Sequence, residues 1–281
     1  MGTHQEGDVP VRCRVRMGKD GTSECGRAVY RDEEVCICHS RDLKKDEVAF
    51  YNMWHAVLAS TDLIDLSRFV FPDHIELDRT KFGRHTLFVG AMFVGEASFR
   101  NATFQAGSDF SEAEFRKDAC FADAAFSNQP MRFISARFRG GADFGGARFG
   151  LGTANFEDAR FSGAANFQSA VFDTADFSKA RFESDSYLSH ARFLGSADFA
   201  STTFLSAADF TGTYFERQVR FVGDGNNLVF ASTATTSFLS SYFQAPQQVS
   251  FHHVFLGRAF LRGVDVRQVD FTDVEWAARS S

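Results

Sequence analysis

Leucine is scarce in this 281-residue chain, at 14 residues against 35 phenylalanines, which reverses the usual order in soluble domains. Proline is rarer still, with 4 residues, and charged residues make up 23% beside 44% hydrophobic ones. Neither a disordered chain nor a proline-rich spacer has that balance. The 22 glycines follow no three-residue period, so a collagen-like chain is also excluded. No apolar run approaches the ~18 residues that cross a bilayer. An excess of positive charge is missing too: 30 basic and 36 acidic residues leave −6, which argues against broad attachment to nucleic acid or anionic lipid. The stretch Met1 to Glu6 has neither the basic-then-apolar order of a signal peptide nor the Ser or Thr of a myristoylation motif. The expectation is a soluble, cytoplasmic chain. Catalytic signatures are absent as well: no Gly-x-Ser-x-Gly and no His-Glu-x-x-His occurs. The glycines at 140–141, 145–146, 150 and 152 lead into no Gly-Lys-Ser/Thr. A non-enzyme is expected.

What is present is a ruler of phenylalanines. Phe82, Phe88, Phe93, Phe99, Phe104, Phe110, Phe115, Phe121 and Phe126 are spaced 6, 5, 6, 5, 6, 5, 6 and 5. The series continues through Phe133, Phe161, Leu188 and Phe199 to Phe221, giving 26 centres of which 25 are Phe. Three steps depart from the alternation: two of 7, and one of 5 where 6 is due. Two residues before each centre stands Ala in 18 cases and Ser or Thr in six. Steps of 5 and 6 turn an α-helix by ~140° and ~240°, scattering the rings around it. A straight strand fails too, since odd steps send successive rings to opposite faces. The chain must therefore turn between centres, and short extended pieces joined by inward-directing corners stack as a solenoid.

Ala142-Asp143-Phe144, Ala147-Arg148-Phe149, Ala175-Asp176-Phe177 and Ala208-Asp209-Phe210 resemble the units of pentapeptide-repeat proteins, specifically the Phe-rich subgroup. The resemblance implies an all-β solenoid, a right-handed quadrilateral β-helix with inward aromatic centres and small residues filling the corners. The alternate sixth residue is placed in bulged corners on opposite sides. Leu66, Phe71 and Leu77 extend the ruler backwards, so the β-helix is assigned to residues 63–281 and is expected to be irregular beyond 222. Turns or loops are read at 223–227 and 244–248, after which Phe255, Phe260, Val266, Phe271 and Trp276 serve as centres. With four units per coil, about eight or nine coils would make a rod of roughly 40 Å.

Residues 1–45 contain no phenylalanine but four of the five cysteines, and that shift marks a separate module. Val11 to Arg16 alternates like a strand and Gly18 to Gly21 reads as its turn. Thiolates gathered so closely in a reducing compartment suit Zn²⁺. The expected ligands are Cys13, Cys25, Cys36 and His39, with Cys38 as a substitute. Residues 46–62 read as a capping helix and linker, with Val48, Tyr51, Trp54, Val57 and Leu58 as its apolar stripe. Phe-rich pentapeptide-repeat proteins begin similarly, with a Cys-x-x-His run, a Lys-Asp pair such as Lys45-Asp46, a helix and an entry resembling Phe71-Pro72.

Just before the centres, Arg137, Arg148, Arg160, Arg181 and Arg192 occupy one parity of units. Asp143, Asn155, Asn166, Asp176, Asp198 and Asp209 occupy the other. Four faces per coil then carry Arg rows on two opposite faces and Asp/Asn rows on the other two. The expected function is a structural scaffold or protein-interaction module with a protein partner, able to form a homodimer through its uncapped C-terminal end. Some pentapeptide-repeat proteins inhibit DNA gyrase by imitating duplex DNA, but residues 82–222 hold 16 acidic and 14 basic side chains, a weak acidity for a DNA mimic. A zinc-dependent nucleic-acid-binding module using Arg12, Arg14, Arg16 and Lys19 is a further alternative. It is weakened by the 15 acidic against 12 basic residues of 1–81.

Overall fold

Each repeat unit forms a strand of about two residues, because the chain must turn again before a longer strand can develop. The computed structural model describes residues 11–18, 20–59, 63–127, 129–225 and 228–276. Strands of successive coils pair in parallel and build four faces of a right-handed solenoid of about ten turns. Face I runs from Ile64–Asp65 to Asp270–Glu275, and face II from Val70–Phe71 to Thr203–Phe204, continued by a bridge to Phe230. Face III runs from Ile75–Glu76 to Ala259–Phe260, and face IV from Lys81–Phe82 to Tyr242–Phe243. Two longer strands, Arg148–Asn155 and Val171–Asp176, pass from face IV to face I. They carry two of the three steps at which the Phe spacing departs from alternation.

The rings form four stacks. On face II, Phe93, Phe115, Phe138, Phe161 and Phe182 lie parallel with centroids 4.6–4.9 Å apart. Faces I and III meet edge to face across the core, as Phe144 does with Phe156 at 5.4 Å and 85°. All 26 centres from Phe82 to Phe221 are buried. Burial of each ring contributes about 1.5–3 kcal/mol relative to exposure, so stability is spread along the rod.

The C-terminal coils correct the sequence reading in two ways. Four rings that the spacing does not pick out are centres: Phe230, Phe238, Phe243 and Phe251 stack on Phe204, Phe210, Phe215 and Phe221 at 4.8–5.3 Å. This is why face I has ten strands where eight or nine coils are expected. Phe255 and Phe260 are not centres, because the register places Phe255 opposite Glu275 and Phe260 opposite outward-facing Ser237. Leu256 is buried in place of Phe255, Leu261 packs against the core, and Phe260 is 57% exposed.

Corner chemistry explains the alternation of Asp/Asn with Arg. On faces I and III the residue two beyond the centre takes a left-handed conformation at all rungs but that of Phe221, and fourteen of the fifteen described non-glycine residues with positive φ lie there. The turn closes through the next small residue, as in Ala147 N–H to Phe144 O at 3.0 Å. The Asp or Asn before the centre accepts from the first turn residue: Gly145 N–H to Asp143 Oδ1 and Glu157 N–H to Asn155 Oδ1 span 2.9 and 2.8 Å. These carboxylates and amides are turn caps. Arg rows fall on faces II and IV, whose six-residue corners need no such cap. At particular rungs of face II the corners approach closely and glycine stands there: a Cβ on Gly163 would lie 2.4 Å from Gly140 O.

A left-handed L-residue costs roughly 1–2 kcal/mol, partly offset in a Gly variant by the larger unfolded-state entropy. Ser169→Gly at φ 58° is therefore expected to raise the urea midpoint by the equivalent of up to about 1 kcal/mol. Gly146→Ala, whose Cβ would sit 2.4 Å from Asp123 Oδ1, is expected to lower it. Movement of both midpoints in the same direction would refute the turn assignment.

At the other end, helix α1 spans Glu47–Leu58, with Asp46 as N-cap accepting from Ala49 N–H at 2.9 Å. Its packed face keeps Trp54, Val57 and Leu58 of the expected stripe but not Val48 and Tyr51. Phe50 and Trp54 are the buried residues and both pack edge-on against Phe71 at 5.8 Å, whereas Val48 and Tyr51 are exposed. Phe50, Trp54 and Leu58 recur at four-residue spacing, which puts them on one side of the helix.

Candidate metal centre

Two local structures bring the cysteines together. Strands β1 (Arg16–Met17) and β2 (Ser23–Glu24) form an antiparallel hairpin, extended by Cys13 N–H to Arg27 O at 2.8 Å and Cys25 N–H to Val15 O at 2.9 Å. The hairpin thus sets Cys13 beside Cys25. In Cys36-Ile37-Cys38-His39 the chain makes one tight turn, with His39 N–H reaching Cys36 O at 3.0 Å. That turn directs Cys36 and His39 to the same side.

Cys13, Cys25, Cys36 and His39 present ligand atoms that all lie within 4.8 Å of one another. The edges are 3.3 Å from Cys13 Sγ to His39 Nδ1, 3.3 Å from Cys36 Sγ to His39 Nδ1, and 3.6 Å from Cys25 Sγ to Cys36 Sγ. A tetrahedral ion bound at about 2.0–2.3 Å has ligand edges close to these lengths. The set can hold a metal ion. Cys38 is also buried but is not one of these four donors. Its backbone carbonyl instead accepts from Val70 N–H at 2.8 Å, closing the edge of face II.

The surroundings favour the same reading. His39 Nε2 lies 3.2 Å from Ser67 O; donating there leaves Nδ1 with a lone pair toward the sulfurs, the arrangement that outer groups impose on ligating histidines. Arg27 Nη1 donates to Cys25 Sγ at 3.1 Å, placing positive charge beside thiolates. For Cys36, the hydrogen bond from Cys25 lowers the pKa, but the bond to Cys38 and burial outweigh it and push the thiol up to about 11. Cys25 is raised by its hydrogen bond to Cys36 and by burial. Thiols packed this tightly resist ionisation, and a divalent cation reverses that balance.

Lys45, noticed in the sequence only through resemblance, is a principal tie between the module and the rod. Its ammonium is buried and donates to Ile37 O, Ser40 O and Val70 O at 3.0, 2.7 and 2.9 Å. It also sits 4.7 Å from the Phe50 ring centre. Burial lowers its pKa to about 8 despite the opposing charges of Cys38 and Glu33. Elsewhere, Cys120 is a half-buried wall residue of face III, and His252 pairs with Asp270 of the next coil at 2.7 Å. Among the described residues, no helix is long and apolar enough to cross a membrane.

Residues 110–150 and 151–192 match the family described as pentapeptide repeats (9 copies). No curated protein matches the chain. Among solved structures, the chain is similar to QnrB1, a plasmid-mediated fluoroquinolone resistance protein. That likeness has 15% identity and a TM-score of 0.28 over 74% of this chain and 90% of that one. It is also similar to HetL, a pentapeptide repeat protein involved in heterocyst differentiation regulation from the cyanobacterium Nostoc sp. strain PCC 7120. There the identity is 17% and the TM-score 0.22, over 72% of this chain and 87% of that one.

Proposed function

Because this chain is a pentapeptide-repeat protein, its inward residues are committed to the rod, and we propose that its outward residues make it a non-enzymatic protein-interaction scaffold. The observation carrying this reading is the fixed outward register: Arg137, Arg160 and Arg181 stand opposite one another on successive coils, as do Ala-flanked Asp143 and Asn166. Such a wall displays side chains at the inter-strand repeat of ~4.8 Å without the entropy loss of ordering a loop on binding. We further propose that Cys13, Cys25, Cys36 and His39 hold a structural Zn²⁺ that fastens the N-terminal module over the first coil. The closed, largely buried donor set with three thiols is of the structural type.

The competing reading, a DNA-mimicking inhibitor of gyrase, requires a predominantly anionic wall, and the Arg rows oppose it. The 281-residue chain at micromolar concentration is expected to leave gyrase supercoiling unchanged and to show no salt-dependent retention of DNA. Inhibition would replace the scaffold reading with the mimic. Retention that weakens with salt would favour the nucleic-acid-binding alternative.

A further inference from the structure

Face II carries a concentration of positive charge unlike the rest of an acidic chain. Arg137, Arg160 and Arg181 form three adjacent rungs in register. Arg116 and Arg139 project from the corners just beyond the centres on the same face. Only Glu114 and Glu183 offset these five guanidinium groups. Glu114 pairs with Arg116 and Arg139 at 3.2 and 2.7 Å, and Glu183 with Arg181 at 3.1 Å. Arg137 and Arg160, at the centre, are in none of the ion pairs found among the described residues. Together with Arg139, Ser162 and Glu183 they line a shallow groove of about 240 Å³.

We propose that this strip docks a short, extended acidic peptide segment of a partner protein; the proposal rests on the scaffold reading and names the partner's chemistry. Charge complementarity selects an anion, and the planar guanidinium fork suits carboxylates. Width selects the kind of anion. The strip is bordered by Glu157 and Asp158 in the corner toward face I, and by Asp143 and Asp185 toward face III. Duplex DNA, with one charge per ≈ 1.7 Å of axis on both strands, would set phosphates over those borders. A single extended peptide would not. Three rungs at the ~4.8 Å repeat span roughly the length of three residues at ~3.3 Å each, so a motif with two or three carboxylates is enough.

The test uses the full chain and a fluorescent Glu-rich hexapeptide, with a Lys-rich hexapeptide and a single-stranded oligonucleotide as comparisons. At low salt the Glu-rich peptide is expected to bind and the Lys-rich one not. The double variant Arg137→Glu/Arg160→Glu is expected to weaken binding at least about tenfold. The face IV variant Arg148→Glu/Arg192→Glu should leave it within about twofold. Arg137→Gln/Arg160→Gln, with an unchanged melting temperature, separates lost docking from lost folding and should also weaken binding. The proposal is overturned if the wild-type chain does not bind the Glu-rich peptide, if both faces respond equally, or if the oligonucleotide binds more tightly than the peptide. The first two results leave the scaffold reading standing, whereas gyrase inhibition by the same preparation would remove it.

Discussion

Phe161→Ala is expected to destabilise the rod by about 3–5 kcal/mol, whereas Phe260→Ala should change stability by less than about 0.5 kcal/mol. Phe161 is fully buried, stacked between Phe138 at 4.9 Å and Phe182 at 4.6 Å, with Phe167 edge-on at 5.9 Å. Truncation removes both face contacts and leaves a void between coils. Those coils are held at strand spacing by Arg160↔Arg181 and Arg137↔Arg160 pairing, so the walls cannot close on it. Phe260 lies on the outward side of its strand, and its removal opens no cavity. Urea denaturation followed by far-UV circular dichroism would read both changes. Since each coil contacts only its neighbours, the Phe161 variant should also lose the sharpness of the transition. Equal midpoint shifts for the two variants would sink the registered-core description.

That contrast also shows where sequence reading succeeds and where it stops. From Phe82 to Phe221 the spacing locates every centre, because one residue type performs the same geometric task at every step but Leu188. Beyond Phe221 the rule fails for two physical reasons. The steps from Phe221 to Phe230, from Phe230 to Phe238 and from Phe243 to Phe251 are longer than the regular ones while the stacks stay in place, so spacing no longer reports register. Leu256 and Leu261 then take the inward places while adjacent Phe255 and Phe260 turn outward, and an apolar dipeptide does not announce which member faces in. The Arg and Asp rows were legible as a pattern, but their cause lies in left-handed turns that need capping on two faces only. At the candidate metal centre, donor identity and grouping follow from Cys and His positions. The roles of Lys45 and His39 Nε2 do not, because their partners are backbone carbonyls of Ile37, Ser40, Val70 and Ser67, and a carbonyl has no sequence signature.

Protein purified under reducing conditions is expected to carry about one equivalent of zinc, the capacity of a single four-ligand site. Cys36→Ser should abolish it, while Cys38→Ser and Cys120→Ser, outside the donor set, should retain it. The consequence for folding should be large and local. The module of residues 11–45 is below the size at which an apolar core alone usually suffices, and metal binding in comparable small sites supplies roughly 10–16 kcal/mol of apparent binding free energy. Chelation should therefore expose the hairpin to protease while the coils beyond Met92 keep their strand signal. It should also loosen the first coil, because His39 anchors to Ser67 O and Cys38 O receives the Val70 N–H. Hydrogen exchange at Val70 then reports metal state in a way that mere loss of a buried thiol would not: Cys38→Ser should leave exchange slow with zinc present, and chelator should accelerate it. A reducing preparation with no bound metal, or exchange at Val70 indifferent to chelator, would defeat the assignment of zinc as the fastener of the cap.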